Sequence, residues 1–386
     1  MSLESRWMAE LDRLRAAQRY RRLTPPAGID FSSNDYLGYG RARGAGHGRG
    51  SPLACAAGSG RSGSASRLLR GHHPVWDEVE AALARWHGAN AALVFSSGYS
   101  ANEGLLSTVI EPDDWVASDQ LNHASIIDGL RLSRAQRFVY RHNDLSHLET
   151  GLREASNRRG ERFIVTESLF GMATDRAPLL EIAQLAKRYC AHLIVDEAHA
   201  TGCFGPAGSG LVDAQGLREQ ALATVHTGGK ALGVLGAYVV GSAVLKELLI
   251  NRCRHLIFTT ALPPVVGQWW LQTLTHVAGD HDARSRLHRA AKLFRTALHE
   301  NGIESAGADY IVSLPLGDDA SAIAAAQRLQ DAGYDIRAIR PPTVPEGTAR
   351  LRISIHADHD ANLLQQLASD LSQLLHAPPS LAVSRP

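Results

Sequence analysis

The chain has 386 residues, of which 44% are hydrophobic and 20% charged, a composition typical of a globular protein and unlike that of a disordered one. Forty basic residues against 39 acidic ones leave a formal net charge of +1, so the overall charge attracts neither nucleic acid nor an anionic membrane. At roughly 100–200 residues per domain, the length predicts two or three domains.

Lysine is rare in this sequence. Only four of the 40 basic residues are lysines, and they are Lys187, Lys230, Lys246 and Lys292. A reaction that needs a lysine amine must therefore use one of these four.

The cysteines and the uncharged stretches favour a cytoplasmic protein. The four cysteines lie far apart without a C-x-x-C pair, so we expect neither a zinc site nor a disulfide framework. The N-terminus lacks the apolar segment of a signal peptide. The longest uncharged stretch, residues 255–279, contains two consecutive prolines and several polar residues, which argue against a membrane helix.

The N-terminal region is expected to begin with an amphipathic helix over residues 4–22, with Trp7, Leu11 and Leu14 on one face. This thin apolar stripe favours packing on the protein itself or on a second subunit over binding to a membrane. Residues 38–66 are rich in glycine, serine and alanine, which is typical of a linker, although so long a structureless stretch would be unusual inside a domain.

From about residue 90, short apolar runs alternate with helical patterns. Continuous apolar character indicates strands that are buried on both faces, and the alternation with helices predicts an α/β fold with a mainly parallel sheet. The seven predicted strands cover residues 91–95, 115–117, 137–140, 163–165, 192–195, 222–225 and 237–240.

A smaller α+β domain is predicted from residue 277 onward. Its helices are expected over 282–300, 319–332 and 360–375, and its strands over 310–316, 335–339 and 350–355. The last strand alternates, which places Arg350, Arg352 and Ser354 on its polar face. We therefore divide the chain into an N-terminal segment 1–45, a large domain 46–276 and a small domain 277–386.

Polar residues follow several predicted strands. Because ligands bind at the carboxyl ends of strands in parallel sheets, these residues are candidates to share one site. Asp196 directly follows a buried strand, where an unpaired carboxylate costs several kcal/mol, so we expect it to face a cation or a polar ligand. The other candidates at strand ends are residues 96–98, Asp119, Asn143, Glu167, Ser168, His226 and Thr227.

Two motifs suggest nucleotide binding, and each lacks its context. Gly58, Gly60 and Gly63 fit G-x-G-x-x-G, but no strand precedes them, and the acidic residues that follow, Asp77 and Glu78, fall on a predicted helix instead of a second strand. Residues 196–199 read Asp-Glu-Ala-His, as in helicases, yet residues 224–231 lack the first glycine and the Ser/Thr of a P-loop. Both a nicotinamide site and an ATPase site are therefore disfavoured.

Lys230 lies on a glycine-rich turn, Thr227-Gly-Gly-Lys230, directly after a predicted strand. Lys187 and Lys292 fall on amphipathic helices and Lys246 follows the segment 242–245, so all three have surface explanations. Lys230 is the lysine that the sheet would deliver to the strand ends, which suits a Schiff-base lysine.

A lysine imine, an aspartate for a pyridinium nitrogen and a helix N-terminus for a phosphate together describe a pyridoxal phosphate (PLP) site. Residues 96–98 end a strand and open a helix, so free N–H groups are available for an anion. His123 follows another strand and is either a structural residue or an imidazole that stacks on the cofactor ring. The histidines near carboxylates, at 142–147 and 356–360, lack the spacing of a metal site, and an acidic residue of the second group is expected to cap the last helix. We propose no metal.

In combination, these motifs resemble those of the α-oxoamine synthases, fold-type I PLP enzymes that condense an amino acid with an acyl thioester and release CO2. The resemblance rests on residues 31–38, 97–102, 121–125, 196–202 and 227–230, and it covers nearly the whole chain. It implies a fold-type I transferase with a seven-stranded, mainly parallel sheet and a small C-terminal domain. It also implies PLP as cofactor and a homodimer with the active site at the interface.

The resemblance assigns roles to the central residues. Lys230 would form the imine with the cofactor and then act as the base that removes the substrate α-proton. Asp196 would keep the pyridine nitrogen protonated. His123 would stack on the ring, and His199 would hydrogen-bond the phenolic oxygen.

The phosphate of the cofactor has its own implied ligands. The amides of Gly98 and Tyr99 would hold it together with Thr227. Thr259 or Thr260 would reach the phosphate bound in the partner subunit.

The segment 339–352 most resembles the members of the family that join L-alanine to a pimeloyl thioester in biotin synthesis. Arg352 would pair with the alanine carboxylate. Thr343 and Asn34 would line the substrate pocket, and Arg21 aligns with the arginine used for acyl-substrate binding. The acyl carrier, coenzyme A or a carrier protein, stays open.

The sequence departs from the family at Gly171, where a serine is usual. If that serine normally bonds the phenolic oxygen, His199 would make this bond alone. Two alternatives are kept: a sibling enzyme that uses glycine or serine with another acyl thioester, and a nucleotide-binding module without PLP.

Overall fold

The computed structural model describes residues 1–40, 61–307 and 309–376. Gly58 and Gly60 of the glycine motif lie outside these ranges. The strands are β1 Ile29–Asp30, β2 Ala91–Phe95, β3 Trp115–Asp119, β4 Gln136–Tyr140, β5 Arg162–Glu167, β6 His192–Asp196, β7 Ala221–Thr227, β8 Ala237–Gly241, β9 Ile311–Gly317, β10 Tyr334–Asp335, β11 Arg337–Ile339 and β12 Ala349–Ser354.

Helices occupy much of the remaining chain. They are α1 Leu3–Ala16, α2 Val75–His87, α3 Gly98–Val109, α4 Ala124–Ser133, α5 Leu145–Ala155, α6 Leu179–Arg188, α7 Leu211–Ala214, α8 Ala243–Arg252, α9 Arg254–Ile257, α10 Pro264–Val277, α11 His281–Glu300, α12 Asp319–Asp331 and α13 Ala361–His376. In the described ranges, no helix is both long enough and apolar enough to cross a membrane.

The chain forms two compact units. The sheet unit comprises Asn34–Gly171 and Arg176–Ser285, and the terminal unit comprises Met1–Ser33, Met172–Asp175 and Arg286–Pro386. Both ends of the chain thus contribute to the terminal unit. The three-part division at residues 45 and 276 stays a prediction.

The sheet unit contains a seven-stranded sheet in the order β2-β8-β7-β6-β5-β3-β4. The five strands from β7 to β4 are parallel, whereas β8 runs antiparallel to both of its neighbours. All five residues of β2 are buried, as are all five of β3, because helices cover both faces of the sheet. The predicted α/β fold with a mainly parallel seven-stranded sheet is confirmed, and most predicted strands extend by one or two residues.

Helices α3 and α4 pack closely against each other, and this contact depends on Gly129. A Cβ at Gly129 would lie 3.0 Å from Cα of Glu103 and 3.1 Å from the carbonyl oxygen of Asn102. Glycine therefore lets the two helices approach closely. The approach brings Asn102 of α3 next to Ser125 of α4.

The terminal unit contains a three-stranded antiparallel sheet in the order β11-β12-β9 and a two-stranded parallel sheet of β1 and β10. The prediction of one continuous strand over 335–339 is wrong, because this segment is divided into two strands. β10 pairs with β1, whereas β11 pairs with β12. Ile336, fully buried between the two strands, marks the switch. Asp360 accepts from Leu363 N at 2.9 Å and so caps α13, as predicted.

The N-terminal helix is shorter than predicted. It ends at Ala16 instead of residue 22, because Gln18 adopts a left-handed conformation with φ of 56°. Arg19 then pairs with Asp319 and Glu346, at 2.8 Å each, which ties the following segment to the rest of the terminal unit. Trp7 on the apolar stripe is exposed.

Candidate active site

The carboxyl ends of the parallel strands gather the residues that the sequence singled out. Glu167 ends β5, Asp196 ends β6 and Thr227 ends β7, and Glu167 is paired in register with Asp196. Because β6 and β7 are parallel neighbours, the turn that carries Lys230 starts beside Asp196. The sheet therefore brings Lys230 and Asp196 to the same edge, as predicted.

Asp196 is buried, with two donors on its carboxylate. Asn102 Nδ2 donates to Oδ2 at 2.7 Å, and the backbone N–H of Ala198 donates to Oδ1, also at 2.7 Å. These two bonds compensate for the cost of burying the carboxylate and fix its orientation. Sequence reasoning gave Asn102 no role, although it lies one turn into the helix that opens at Gly98.

His123 caps helix α4 with its own side chain. Its Nδ1 lies 2.7 Å from Ser125 Oγ and accepts from Ser125 N at 3.3 Å. His123 as a residue is exposed, yet partial burial of its imidazole lowers the pKa of His123. Asp196 opposes this shift and Lys230 adds to it, so both charges lie within electrostatic reach of the ring.

Glu167 was identified only as one of several polar residues at strand ends. It is buried, and its Oε1 accepts from the backbone N–H of His123 at 2.7 Å. Burial and, secondarily, the charge of Asp196 raise the pKa of Glu167 to about 8, and Lys230 opposes this shift. Glu167 therefore holds the His123 loop in place.

His199 is held from one side by a short chain of hydrogen bonds. Its Nδ1 lies 2.8 Å from the hydroxyl of Tyr36, which donates to Asn34 Oδ1 at 2.9 Å. A Cβ at residue 171 would lie 2.3 Å from His199 Nε2, closer than any real contact. The glycine that replaces the family's usual serine thus makes room for the imidazole in this position.

The N-terminus of α3 offers donors for an anion. Ser97 and Ser100 form a capping box, which uses the N–H groups of these two residues. The amides of Gly98 and Tyr99 occupy the first turn, where helical N–H groups lack intrahelical acceptors. A Cβ on Gly98 would lie 3.7 Å from both Cβ and Oγ1 of Thr227, so the threonine side chain lies next to this turn.

Tyr99 also contacts neighbouring residues of the site. Its hydroxyl donates to Asp128, a bond that raises the pKa of Tyr99 to about 12. Its ring meets His123 edge-on, with the ring centroids 6.2 Å apart. Thr259 and Thr260 line a small cavity together with Ser96, the residue after β2.

The chemistry of this donor set fits PLP. An amine, a buried carboxylate and an imidazole stand at the strand ends, and helix amides with a threonine hydroxyl are available for a phosphate. Lys187 and Lys292 are exposed, as predicted. Lys246 differs from its predicted surface role, because its Nζ pairs with buried Glu80 at 2.7 Å.

Three of the four predicted substrate residues, Arg21, Thr343 and Arg352, belong to the terminal unit. Arg21 Nη2 donates to Thr343 Oγ1 at 3.1 Å, and Arg21 borders a groove of about 680 Å³ between α1 and the segment 341–346. Arg352 was expected on a polar strand face, yet it is buried and its Nη1 donates to Ser354 Oγ at 3.0 Å. The fourth residue, Asn34, lies in the sheet unit, where it is bonded to Tyr36.

Within the described ranges, one group could gather three metal-ligating atoms, and it consists of His356, Asp358 and His359. Nε2 of His356 lies 3.2 Å from the carbonyl oxygen of Ser33, and Nε2 of His359 lies 3.0 Å from that of Asp30. Nδ1 of His359 also accepts from the backbone N–H of His356. These bonds use both ring nitrogens of His359. The two histidines, which follow β12, therefore connect this part of the chain to residues 30–33, at and just after the end of β1.

Comparison with known proteins decides the family. The family model "Aminotransferase class I and II" matches residues 27–371. The chain belongs to this aminotransferase family. It is a fold-type I, PLP-dependent enzyme, in agreement with the donor set at the strand ends.

The curated relatives of this chain carry a more specific name than the family model does. The chain is 44% identical to the 8-amino-7-oxononanoate synthase of Chlorobaculum parvum, over 97% of this chain and 100% of the relative. It is 43% identical to the 8-amino-7-oxononanoate synthase of Anaeromyxobacter dehalogenans, over 92% of this chain and 89% of the relative.

Solved structures of the family share the fold over almost the whole chain. A serine palmitoyltransferase variant from S. paucimobilis with a bound PLP–myriocin aldimine superimposes with a TM-score of 0.88 at 30% identity, over 97% of this chain and 98% of that one. The 8-amino-7-oxononanoate synthase of Francisella tularensis gives a TM-score of 0.76 at 29% identity, over 90% and 98%.

Proposed function

We propose that this chain condenses L-alanine with a pimeloyl thioester to give 8-amino-7-oxononanoate and CO2, a step of biotin synthesis. The observation that carries the proposal is the meeting of Lys230 and Asp196 at the carboxyl ends of β6 and β7. The choice of substrates is supported by the relatives, since those at 43% and 44% identity are synthases of this product.

In the condensation, a carbon–carbon bond forms between the α-carbon of alanine and the carbonyl carbon of the thioester. The thiol of the carrier leaves with a proton, the alanine carboxylate leaves as CO2, and the α-carbon regains a proton. When bound, PLP supplies the electron sink that stabilises negative charge at the α-carbon. The protein must therefore orient the substrate, move protons and exclude water.

Lys230 is proposed to carry the cofactor and to take the α-proton at its Nζ. The Asp196 carboxylate would keep the pyridine nitrogen protonated, and the donors Asn102 and Ala198 hold this carboxylate in one orientation. His199, held at Nδ1 by Tyr36, would use Nε2 to bind the phenolic oxygen of the cofactor. His123 would stack on the cofactor ring.

The phosphate is proposed to bind the amides of Gly98 and Tyr99 and the hydroxyl of Thr227. The positive end of the α3 dipole stabilises this anion. Thr259 or Thr260 is proposed to contact the phosphate bound in a second copy of the chain, so that the active enzyme is a homodimer.

Substrate contacts are proposed for four residues. Arg352 pairs with the alanine carboxylate, since a buried guanidinium has a strong electrostatic preference for an anion. Arg21 and Thr343, which already bond each other, bind the acyl substrate, and Asn34 lines the pocket. The acyl carrier is either coenzyme A or a carrier protein.

A sibling activity is the second candidate, because the serine palmitoyltransferase fold matches with a TM-score of 0.88. The solved palmitoyltransferase and the solved synthase are about equally similar in sequence, at 30% and 29% identity, so the curated synthases at 43% and 44% identity support the first candidate.

Product analysis tests the choice. The purified enzyme with PLP is incubated with alanine, glycine or serine and with pimeloyl or palmitoyl thioesters on both carriers. We expect 8-amino-7-oxononanoate from alanine and a pimeloyl thioester. Preferential product formation from serine or glycine would establish the sibling activity instead.

A further inference from the structure

A continuous series of hydrogen bonds connects Asp196 to His123 through Asn102 and Ser125. Asn102 Nδ2 lies 2.7 Å from Asp196 Oδ2 and 3.0 Å from Ser125 Oγ. Ser125 Oγ in turn lies 2.7 Å from His123 Nδ1. Asn102 and Ser125 are both buried, so water does not compete for these bonds.

The donor and the acceptor of each hydrogen bond in this series follow from the chemistry of the side chains. An amide nitrogen only donates, and the Asp196 carboxylate fixes which end of the Asn102 amide faces it, since the amide oxygen would be repelled. The two N–H bonds of the Asn102 amide therefore donate to Asp196 Oδ2 and to Ser125 Oγ. The Ser125 oxygen accepts one of them and has its own proton left for His123 Nδ1.

A second donor meets the same nitrogen. The backbone N–H of Ser125 donates to His123 Nδ1 at 3.3 Å, as part of the N-cap of α4. Two donors directed at Nδ1 require a lone pair on that nitrogen. A neutral imidazole carries a single proton, which must then be on the other nitrogen.

We propose that Asn102 and Ser125 act as positioning residues that fix His123 in the tautomer with its proton on Nε2. The lowered pKa of His123 agrees with a neutral ring. Glu167 binds the backbone N–H of His123 and does not touch the ring nitrogens in this arrangement, so it leaves the tautomer to the Asn102–Ser125 pair. The Nε2 edge of the ring consequently offers a hydrogen-bond donor to a ligand oxygen.

The tautomer is measured directly by NMR of the full chain with 15N-labelled histidines, with and without PLP. The His123 signal among the 18 histidines is assigned by its loss in His123→Gln. In the wild type we expect an unprotonated Nδ1 and a protonated Nε2. Because one hydrogen bond is lost, Ser125→Ala should shift the tautomer ratio about fivefold toward the Nδ1–H form.

Two further variants separate the proposal from a general loss of packing. Ser125→Thr keeps the hydroxyl and should retain the wild-type tautomer, whereas Asn102→Ala should shift it in the same direction as Ser125→Ala. Ser133→Ala is the matched control, because Ser133 is a buried serine at the other end of α4 whose hydroxyl donates to Leu130 O at 2.8 Å. It should leave His123 unchanged.

A wild-type His123 with its proton on Nδ1 would overturn the proposal. So would a Ser125→Ala variant with the wild-type ratio, or a folded Ser125→Thr variant with the Ser125→Ala ratio. The measurement needs no substrate, so its failure leaves the assignment of alanine and pimeloyl thioester untouched. Failure of the product analysis likewise leaves the tautomer untouched.

Discussion

The residues proposed to bind the cofactor and those proposed to bind the acyl substrate are held in different ways. Asp196 and His199 are 6% and 7% exposed, and hydrogen bonds from α3 and from Tyr36 fix their side chains. Arg21 and Thr343 are exposed and lie on segments outside the helices and strands. Buried, hydrogen-bonded side chains keep the reactive groups of the cofactor site in one arrangement. Substitution of exposed loop residues, in contrast, can change substrate preference with little loss of folding stability.

The largest effect is expected for Lys230→Ala. Loss of the proposed imine and of the base should lower turnover by at least about a thousandfold. Borohydride should no longer trap the cofactor on the protein. Lys187→Ala, at an exposed lysine on α6, is the matched control and should keep both properties. Substantial turnover by Lys230→Ala would refute the proposed role.

Gly171→Ser tests how tightly the site is packed around His199, which is proposed to bind the cofactor. The new Cβ would overlap His199 Nε2, so the imidazole must move or the loop must shift. Overpacking of this kind should lower the free energy of unfolding by about 1–3 kcal/mol and reduce kcat. Chemical denaturation and steady-state kinetics measure both quantities.

Gly279→Ser is the control for this substitution, because a Cβ at residue 279 would lie 3.9 Å from the carbonyl oxygen of His276, an ordinary van der Waals distance. It should leave stability within about 0.5 kcal/mol of the wild type. A Gly171→Ser enzyme with wild-type stability and a higher kcat would show that the loop relaxes to accept the family's usual serine.

Glu167→Gln tests the buried carboxyl through pH. The pKa of Glu167 is raised to about 8 in the folded protein, above its value in the unfolded chain. The folded state therefore binds this proton more tightly, so its contribution to stability is complete below the unfolded pKa and is lost as pH rises toward 8. Gln keeps an oxygen for the His123 amide but cannot titrate.

Urea unfolding of both proteins between pH 5.5 and 8 measures the difference. The wild type should lose up to about 1.4 kcal/mol of stability per pH unit more than the variant does. Parallel pH profiles for the two proteins would mean that Glu167 is ionised throughout this range.

The smallest effect on stability is expected for Arg21→Ala. Arg21 is exposed and bonds Thr343, so its loss should change the free energy of unfolding by less than about 0.5 kcal/mol. KM for the pimeloyl thioester should nevertheless rise, with KM for alanine unchanged. An equal rise in both would place Arg21 outside the acyl site, and a large loss of stability would remove the contrast between the two groups of residues.

The residues proposed to bind the cofactor were largely predictable, because their motifs place chemically distinctive side chains at the ends of predicted strands. Lys230 stood out by elimination, and Asp196 by the cost of a carboxylate after an apolar strand. Asn102, Ser125 and Tyr36 were missed as parts of the site, since their roles depend on distances between separate elements. A serine or an asparagine on a helix carries no sign in the sequence of what it bonds.

The sequence by itself determined the α/β class, the mainly parallel sheet and the lysine at its edge, because burial on both faces and strand–helix alternation leave periodic patterns. Tertiary structure alone decided where α1 ends, that residues 335–339 split between two sheets, and that Arg352 is buried on a strand with alternating polarity. It also decided that Gly171 makes room for His199. Each of these depends on a contact between residues far apart in the chain, and local sequence patterns do not record such contacts.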